Sequence, residues 1–328
     1  MVQSLRVLTL VVCTGVCLPP QHTRQVPPAP DWGFWAHREV NRQAVFVLPL
    51  PMRGFYKRNI DYLTAQAIRP DQRRYAVPGE APRHYIDLDV LVGGVVDSLP
   101  RAWEAALLKF GPDSLHRHGQ LPWHILRELR RLEEAFYAHN AQQILSASAE
   151  LGHYLADAHV PLHTTANYDG QRTGHPGAHS LWETALPERY HPQYRLYSRP
   201  AQYWQRPSDL VWAILAQAHA QVDTLLAAYT QAERQLGGAP LRSFQPRGTG
   251  VARGFSPAFL AAYHAQVGPQ VARQLQLSIT HLADLWYTAW VNAGQPSLDS
   301  LGATPLWLPD SLAQAPVGYE GCTERQGH

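Results

Sequence analysis

Histidine and carboxylate side chains recur in this chain at spacings that could gather them around a metal ion. The segment Ala149–His163 reads AELGHYLADAHVPLH. On a helix, His153 and Asp157 project from one face, so both can reach one ion. Pro161 ends that helix, because it lacks an N–H and its ring collides with the preceding turn. His163 then follows on the emerging chain. Further on, HSLWE repeats the device with His179 and Glu183. Upstream stand Asp71 in RPDQRR, His84 in RHYID, and His37 in WGFWAH after Trp32. Imidazole is the commonest protein metal ligand, and Zn²⁺ takes imidazole nitrogen together with carboxylate oxygen. With 17 histidines against 26 acidic residues, the chain is rich in that ligand.

Taken singly, each of these residues has an ordinary alternative. His37 could cap a helix or stand in solvent, Asp71 after Pro70 could cap a turn, and His84 could be a satisfied core histidine. His153 with Asp157 could be a plain i,i+4 pair, Trp32 a hydrophobic staple, and Arg74 a solvated surface arginine. An H-x3-D-x5-H triplet arises by chance in roughly one chain in fifteen of such composition, and an H-x3-acid pair about once per chain, so neither decides alone. His116, His118, His139, His159, His175 and His281 have no partner at ligand spacing and are read as ordinary histidines.

The elements that must position these residues are helical. A chain of 328 residues that is 45% hydrophobic can bury one large core or two small ones. Its formal charge of +2 provides no basic field for duplex nucleic acid. Cys13, Cys17 and Cys322 lie near the ends, which excludes a disulfide-stapled scaffold. Residues 1–18, with Arg6 before an apolar run, look like a signal peptide and predict a secreted or periplasmic protein. Thr-Gly-Val before Cys17 is a poor lipid-anchor site, so no lipid anchor is expected. Residues 19–31 read as a Pro-rich linker. From Trp32 onward, apolar residues recur at helical spacing over 38–48, 52–67, 99–110, 123–137, 141–158, 201–236 and 257–293. Strand-like alternation is confined to His84–Val92, and 164–178 reads as a glycine-bearing loop. The pattern predicts an all-α fold: a single compact multi-helix domain over 32–295, with an irregular tail at 296–328.

In order and spacing, Trp32, His37, Asp71, His84, His153, Asp157, His163, His179 and Glu183 resemble the ligand set of the zinc-dependent phospholipase C and single-strand-specific zinc nuclease superfamily. The most specific parts are W-x4-H, and H-x3-D-x5-H followed by H-x3-[DE]. The resemblance implies an all-α domain holding three zinc ions. Asp71, His84, His153 and Asp157 would bind the first, and His163, His179 and Glu183 the second. The third would take His37, Asp157 as a bridge, and the main-chain amine and carbonyl of Trp32. It further implies hydrolysis of a phosphate ester by a zinc-bridging hydroxide. Two ions about 3.5–4 Å apart would activate a water for in-line attack on phosphorus, and the remaining ion would neutralise charge on the phosphoryl oxygens. Asp71 and Asp157 are the candidate catalytic carboxylates. Arg74 is a candidate phosphate contact, since a guanidinium grips two oxygens at once.

The amine chelate requires a mature chain that begins at Trp32, so trimming of residues 1–31 is expected; with the linker attached, the third zinc should bind weakly. Within the resemblance, phospholipases carry Glu and nucleases Asp at the position of Glu183, and the eukaryotic-type nucleases carry disulfides that this domain cannot form. Both features favour a secreted phospholipase C-type phosphodiesterase cleaving between glycerol and phosphate. The first alternative is a nuclease or nucleotidase that stacks bases of single strands on aromatics, with Tyr75, Tyr85, Tyr168 and Trp182 as candidates. The second is a non-catalytic helical zinc-binding domain, against which nine potential ligands count, since structural zinc is usually closed by four. The expected partner is a phosphodiester substrate, phospholipid or single-stranded nucleic acid; neither duplex DNA nor an obligate protein partner is expected.

Overall fold

Apolar periodicity places most helices where the sequence predicts them. The computed structural model describes residues 33–247, 250–299 and 301; the leader, the linker, Trp32 and most of the tail lie outside the described residues. The chain runs through α1 (Gly33–Ala44), α2 (Leu50–Arg58), α3 (Ile60–Gln66), α4 (Arg69–Arg73), α5 (Leu88–Val92), α6 (Trp103–Phe110) and α7 (Pro112–His118). It continues through α8 (Leu121–Tyr137), α9 (Ala141–Ala158), α10 (Leu186–Tyr190), α11 (Pro207–His219), α12 (Val222–Gln235) and α13 (Pro257–Asn292). The fold is all-α, with one small antiparallel hairpin of β1 (Arg242–Arg247) and β2 (Gly250–Phe255).

The centre of the fold is α9. It starts where the Asn140 side chain accepts from the Gln143 N–H at 3.0 Å, satisfying one of the free donors of the first turn. It ends ahead of Pro161, as predicted. Every residue from Ala147 to Ala158 is buried, with α8, α1, α3 and α13 packed around the helix. Gly152 permits the close approach of α1: a Cβ there would lie 2.5 Å from Asn41 Oδ1. Asn41 cannot swing away easily, being fully buried with its Nδ2 donating to the His37 carbonyl at 3.1 Å. The same contact sets His37 beside His153. On the other side, Trp286 of α13 donates from Nε1 to the Ser148 carbonyl at 3.1 Å, which locks the longest helix onto the central one.

Several boundaries differ from the periodic reading, each for a local reason. The span 52–67 divides at Asn59, whose φ is −110° and whose Nδ2 donates to the Phe55 carbonyl at 2.9 Å. The span 201–236 becomes helical only at Pro207 and breaks at Ala220–Gln221. Ahead of Pro207 the chain is an extended strap. The Gln202 N–H bonds Asp284 Oδ1 at 2.7 Å and the Trp204 N–H bonds Thr288 Oγ1 at 3.0 Å, so these donors serve α13 rather than a helix. His84–Val92 is not a strand: it holds the end of a 3₁₀ turn (Ala81–His84), α5, and a single bridge from Ile86 to Gly119. The hairpin is an addition, disguised in the sequence by Pro246 within its first strand. Packing also runs past residue 295: Leu298 is buried, and Trp290 Nε1 donates to the Pro296 carbonyl at 2.9 Å.

Three histidines outside the predicted ligand set, His124 and His159 buried and His281 half-buried, should make the fold acid-sensitive. Burial, with Arg127 and Arg83 nearby, pushes His124 down to about 2. Burial likewise pushes His159 down to about 3 and His281 to about 4. In the unfolded chain each titrates near ~6.5, so below that pH the unfolded chain binds protons that the fold refuses. Stability therefore rises with pH through this window and is lost as pH falls, by at most ~1.4 kcal/mol per pH unit per histidine. Between about pH 6.5 and 5 the depressed carboxylates contribute almost nothing, because in the unfolded chain they titrate lower, near ~4. We expect the melting temperature in chelator to fall steadily across that interval; a flat profile would contradict the burial of neutral imidazole.

Candidate metal centre

Four elements converge on one buried polar cluster: α1 with His37, α4 with Asp71, the 3₁₀ turn with His84, and α9 with His153 and Asp157. Asp157 stands at the middle, 1% exposed. Its Oδ2 lies 3.0 Å from His84 Nδ1 and 3.4 Å from His153 Nε2. Its Oδ1 lies 3.4 Å from His37 Nε2. Asp71 approaches from the more open side, with Oδ1 3.5 Å from both His84 Nδ1 and His153 Nε2. The His37 and His153 rings stack at 3.9 Å.

A second cluster forms where the chain leaves α9. His163 sits on the 3₁₀ turn Pro161–Thr164, and Glu183 on a π-helical turn Ser180–Ala185 that His179 caps. His179 Nε2 lies 2.5 Å from Glu183 Oε2, and His163 Nε2 lies 3.4 Å from the same oxygen. Asp157 Oδ1 is 4.0 Å from His163 Nδ1, so one carboxylate borders both clusters. Among the described residues, three sets of ligand atoms could each hold a metal ion. These are His37 with His153 and Asp157, Asp71 with His84 and His153, and His163 with His179 and Glu183.

The donor chemistry fits a cation such as zinc. His153 Nδ1 donates to the Ala67 carbonyl at 2.8 Å, His163 Nδ1 to the His84 carbonyl, and His179 Nδ1 to the Tyr168 carbonyl at 3.1 Å. A carbonyl only accepts, so each Nδ1 carries the proton and each Nε2 presents a lone pair. In the second cluster two such lone pairs and a carboxylate oxygen then face one another, an arrangement of acceptors that needs a positive charge between them. His163 Nε2 is buried without a hydrogen-bond partner. Burial alone would push His37 down, yet Asp157, Asp71 and Glu183 lift it to about 9. Burial opposes ionisation of Asp157, but His153, His163, His37 and His84 hold it well below the usual carboxylate range. Glu183 is depressed likewise by His179 and His163 against its burial. The pocket thus draws positive charge into a buried position, where imidazole and carboxylate are zinc ligands.

Of the nine residues singled out as ligands, eight meet here; Trp32 lies outside the described residues. The fit differs from expectation in one respect, since His153 is shared between two sets and faces His37 directly. Arg74 ends α4, its N–H donating to the Asp71 carbonyl at 3.1 Å. Its neighbour Arg73 turns inward to Glu80 and Glu150. A narrow recess lies beside His37 and Glu183, lined by Ala36, Val40, Ala156, Val160, Trp182, Val271 and Leu275, all of them buried. The polar side chains on its wall are mutually engaged: His159 Nδ1 meets Gln274 Oε1 at 3.1 Å, and Ser278 Oγ donates to the Gln274 carbonyl at 2.8 Å. Trp182 was one of four candidate aromatics; of the others, Tyr75 is exposed and the Tyr85 hydroxyl donates to the Arg117 carbonyl. Sequence alone singles out neither Gln274 nor Glu80, and it reads His159 as an ordinary histidine. For Glu80 a signal existed, since Glu80 and His84 repeat the four-residue acid–histidine spacing.

A family model described as zinc dependent phospholipase C matches residues 36–230, more than half of the chain. No curated protein matches the chain.

Proposed function

We propose that this chain, which belongs to the zinc-dependent phospholipase C family, is an exported phosphodiesterase that cleaves phospholipid between glycerol and phosphate. Membership carries the general statement, a zinc-dependent hydrolase of phosphate esters. The lipid substrate rests on one observation, the recess beside His37 and Glu183. Six of its twelve lining residues are aliphatic and one is Trp182, and among the described residues it includes no Lys or Arg to follow a nucleic-acid backbone.

In this reading Asp71, His84, His153 and Asp157 would hold one zinc, and His163, His179 and Glu183 a second. His37 and Asp157, with the main-chain amine and carbonyl of a mature Trp32 terminus, would hold a third. Bound zinc supplies Lewis acidity and an activated water near neutral pH. The chain's own residues do the rest. Asp157 spans the clusters and fixes their separation. Asp71, whose side chain is 22% exposed while Asp157 is buried, would be the carboxylate that exchanges a proton with substrate or water. Arg74, three residues beyond Asp71, would meet phosphoryl oxygens. The apolar wall would keep water from the leaving group's side.

The test is metal content together with parallel assays on bis-p-nitrophenyl phosphate, phosphatidylcholine vesicles and single-stranded DNA. We expect bound zinc, turnover of the soluble diester, and release of phosphocholine from vesicles at rates well above any cutting of DNA. Faster cleavage of DNA would assign the nuclease reading, with Trp182 as the base platform. Neither metal nor turnover would leave a non-catalytic helical domain.

A further inference from the structure

Behind the cluster lies a second layer of charge that the proposed chemistry does not use. Glu80 is completely buried. Its Oε2 receives Arg73 Nε at 3.0 Å and Arg83 Nη1 at 2.7 Å. Its Oε1 accepts from the Tyr154 hydroxyl and faces His84 Nε2 at 3.6 Å. Arg73 also grips Glu150 through Nη1 and Nη2 at 2.9 and 3.1 Å, and Arg131 reaches Glu150 from outside at 3.1 Å. The carboxylate is thus held as an anion, in a fixed place, by groups that are themselves anchored.

His84 is the histidine that needs it. The other histidines with a defined tautomer are fixed by main-chain carbonyls at Nδ1, which frees Nε2 for the cluster. His84 is turned the opposite way, with Nδ1 facing the cluster, 3.0 Å from Asp157 and 3.1 Å from His153 Nε2. Its Nε2 is buried without a hydrogen bond, and the carboxylate that faces it is Glu80. The geometry points to Glu80 as a positioning residue that keeps the His84 proton on Nε2, so that the Nδ1 lone pair is presented to the metal. A carboxylate behind a ligating imidazole fixes its tautomer and raises its basicity. This inference rests on the reading of the cluster as a zinc centre. It adds that the site holding His84 owes its affinity to a residue that never touches the ion.

Glu80→Gln in the full chain removes the charge and keeps the shape, and Tyr154→Phe removes one hydrogen bond to Glu80 and spares the charge. Zinc affinity is read by chelator competition, site by site, and the imidazole tautomers of the zinc-loaded protein by nitrogen-15 NMR. We expect His84 of the loaded parent as the Nε2–H tautomer, ligated through Nδ1. Glu80→Gln should weaken one zinc by about 10–100-fold with the ion at His163, His179 and Glu183 unaltered. Tyr154→Phe should show a smaller loss at the same site, which serves if the glutamine variant does not fold. Equal weakening of every zinc, unchanged affinity, or an Nδ1–H His84 in the loaded parent would overturn the inference. A parent chain that binds no zinc at all would instead remove the metal-centre reading, and this inference with it.

Discussion

Asp157→Asn is expected to lower turnover by about 10²–10³-fold or more, the scale of removing one preorganised charge-stabilising group, and to lower the zinc content of the purified protein. No other side chain in the centre borders His37, His84, His153 and His163 together, at 3.4, 3.0, 3.4 and 4.0 Å. Asparagine preserves the volume, so the core of α9 should stay packed. It replaces an anionic oxygen with an amide that either donates hydrogen toward the cations or offers one neutral oxygen to a position that requires two. The loss should appear in kcat rather than in KM, since Asp157 is buried beneath the recess and does not grip the substrate. A further mark distinguishes charge from shape. His37 is lifted to about 9 chiefly by Asp157 against its burial, so in the metal-free variant its titration should move down. Steady-state kinetics, metal analysis and histidine NMR read the three effects, and a variant with full zinc and full activity would refute the assignment of Asp157.

How much of this centre was readable before the structure depends on how local each pairing is. His153 with Asp157, and His179 with Glu183, are one helical turn apart, so spacing alone places them together. The second pair keeps its facing even though its turn is π-helical, because five residues or four still bring both side chains to one side. His37, Asp71 and His84 come from three other elements, and no local pattern joins them; the ordered resemblance did. The wall of the recess was out of reach, because Val271 and Leu275 arrive from α13 and read in sequence as ordinary core positions. Glu80 was missed for a different reason: an acid four residues from a histidine at a turn carries no sign of burial, and burial is what gives it meaning. The hairpin escaped because Pro246 and its glycines weaken the alternation that marks a strand.

Removal of zinc should cost the fold as much as it costs activity. Without a cation the Nε2 lone pairs of His163 and His179 and the Glu183 carboxylate confront one another in a buried space, and a proton is the one substitute available. Each ion present at about 100 times its dissociation constant adds ~2.7 kcal/mol of stability, and ~1 kcal/mol moves the melting point of a chain of this size by about 2–4 °C. With two or three ions, chelation should lower the melting temperature by on the order of 10 °C or more. Zinc should restore it and magnesium should not, because magnesium prefers oxygen ligands and retained water to imidazole. The reloading should also be proton-coupled in a definite sense. The imidazole of His37, raised to about 9, is protonated at neutral pH, and zinc must displace that proton to use the ring. Zinc affinity should therefore climb between pH 7 and 9, and calorimetry in buffers of different ionisation enthalpy should register proton release at pH 7. A melting temperature indifferent to chelator, or zinc binding without proton release, would mean that these acceptors are satisfied among themselves and that the centre is not built around a metal.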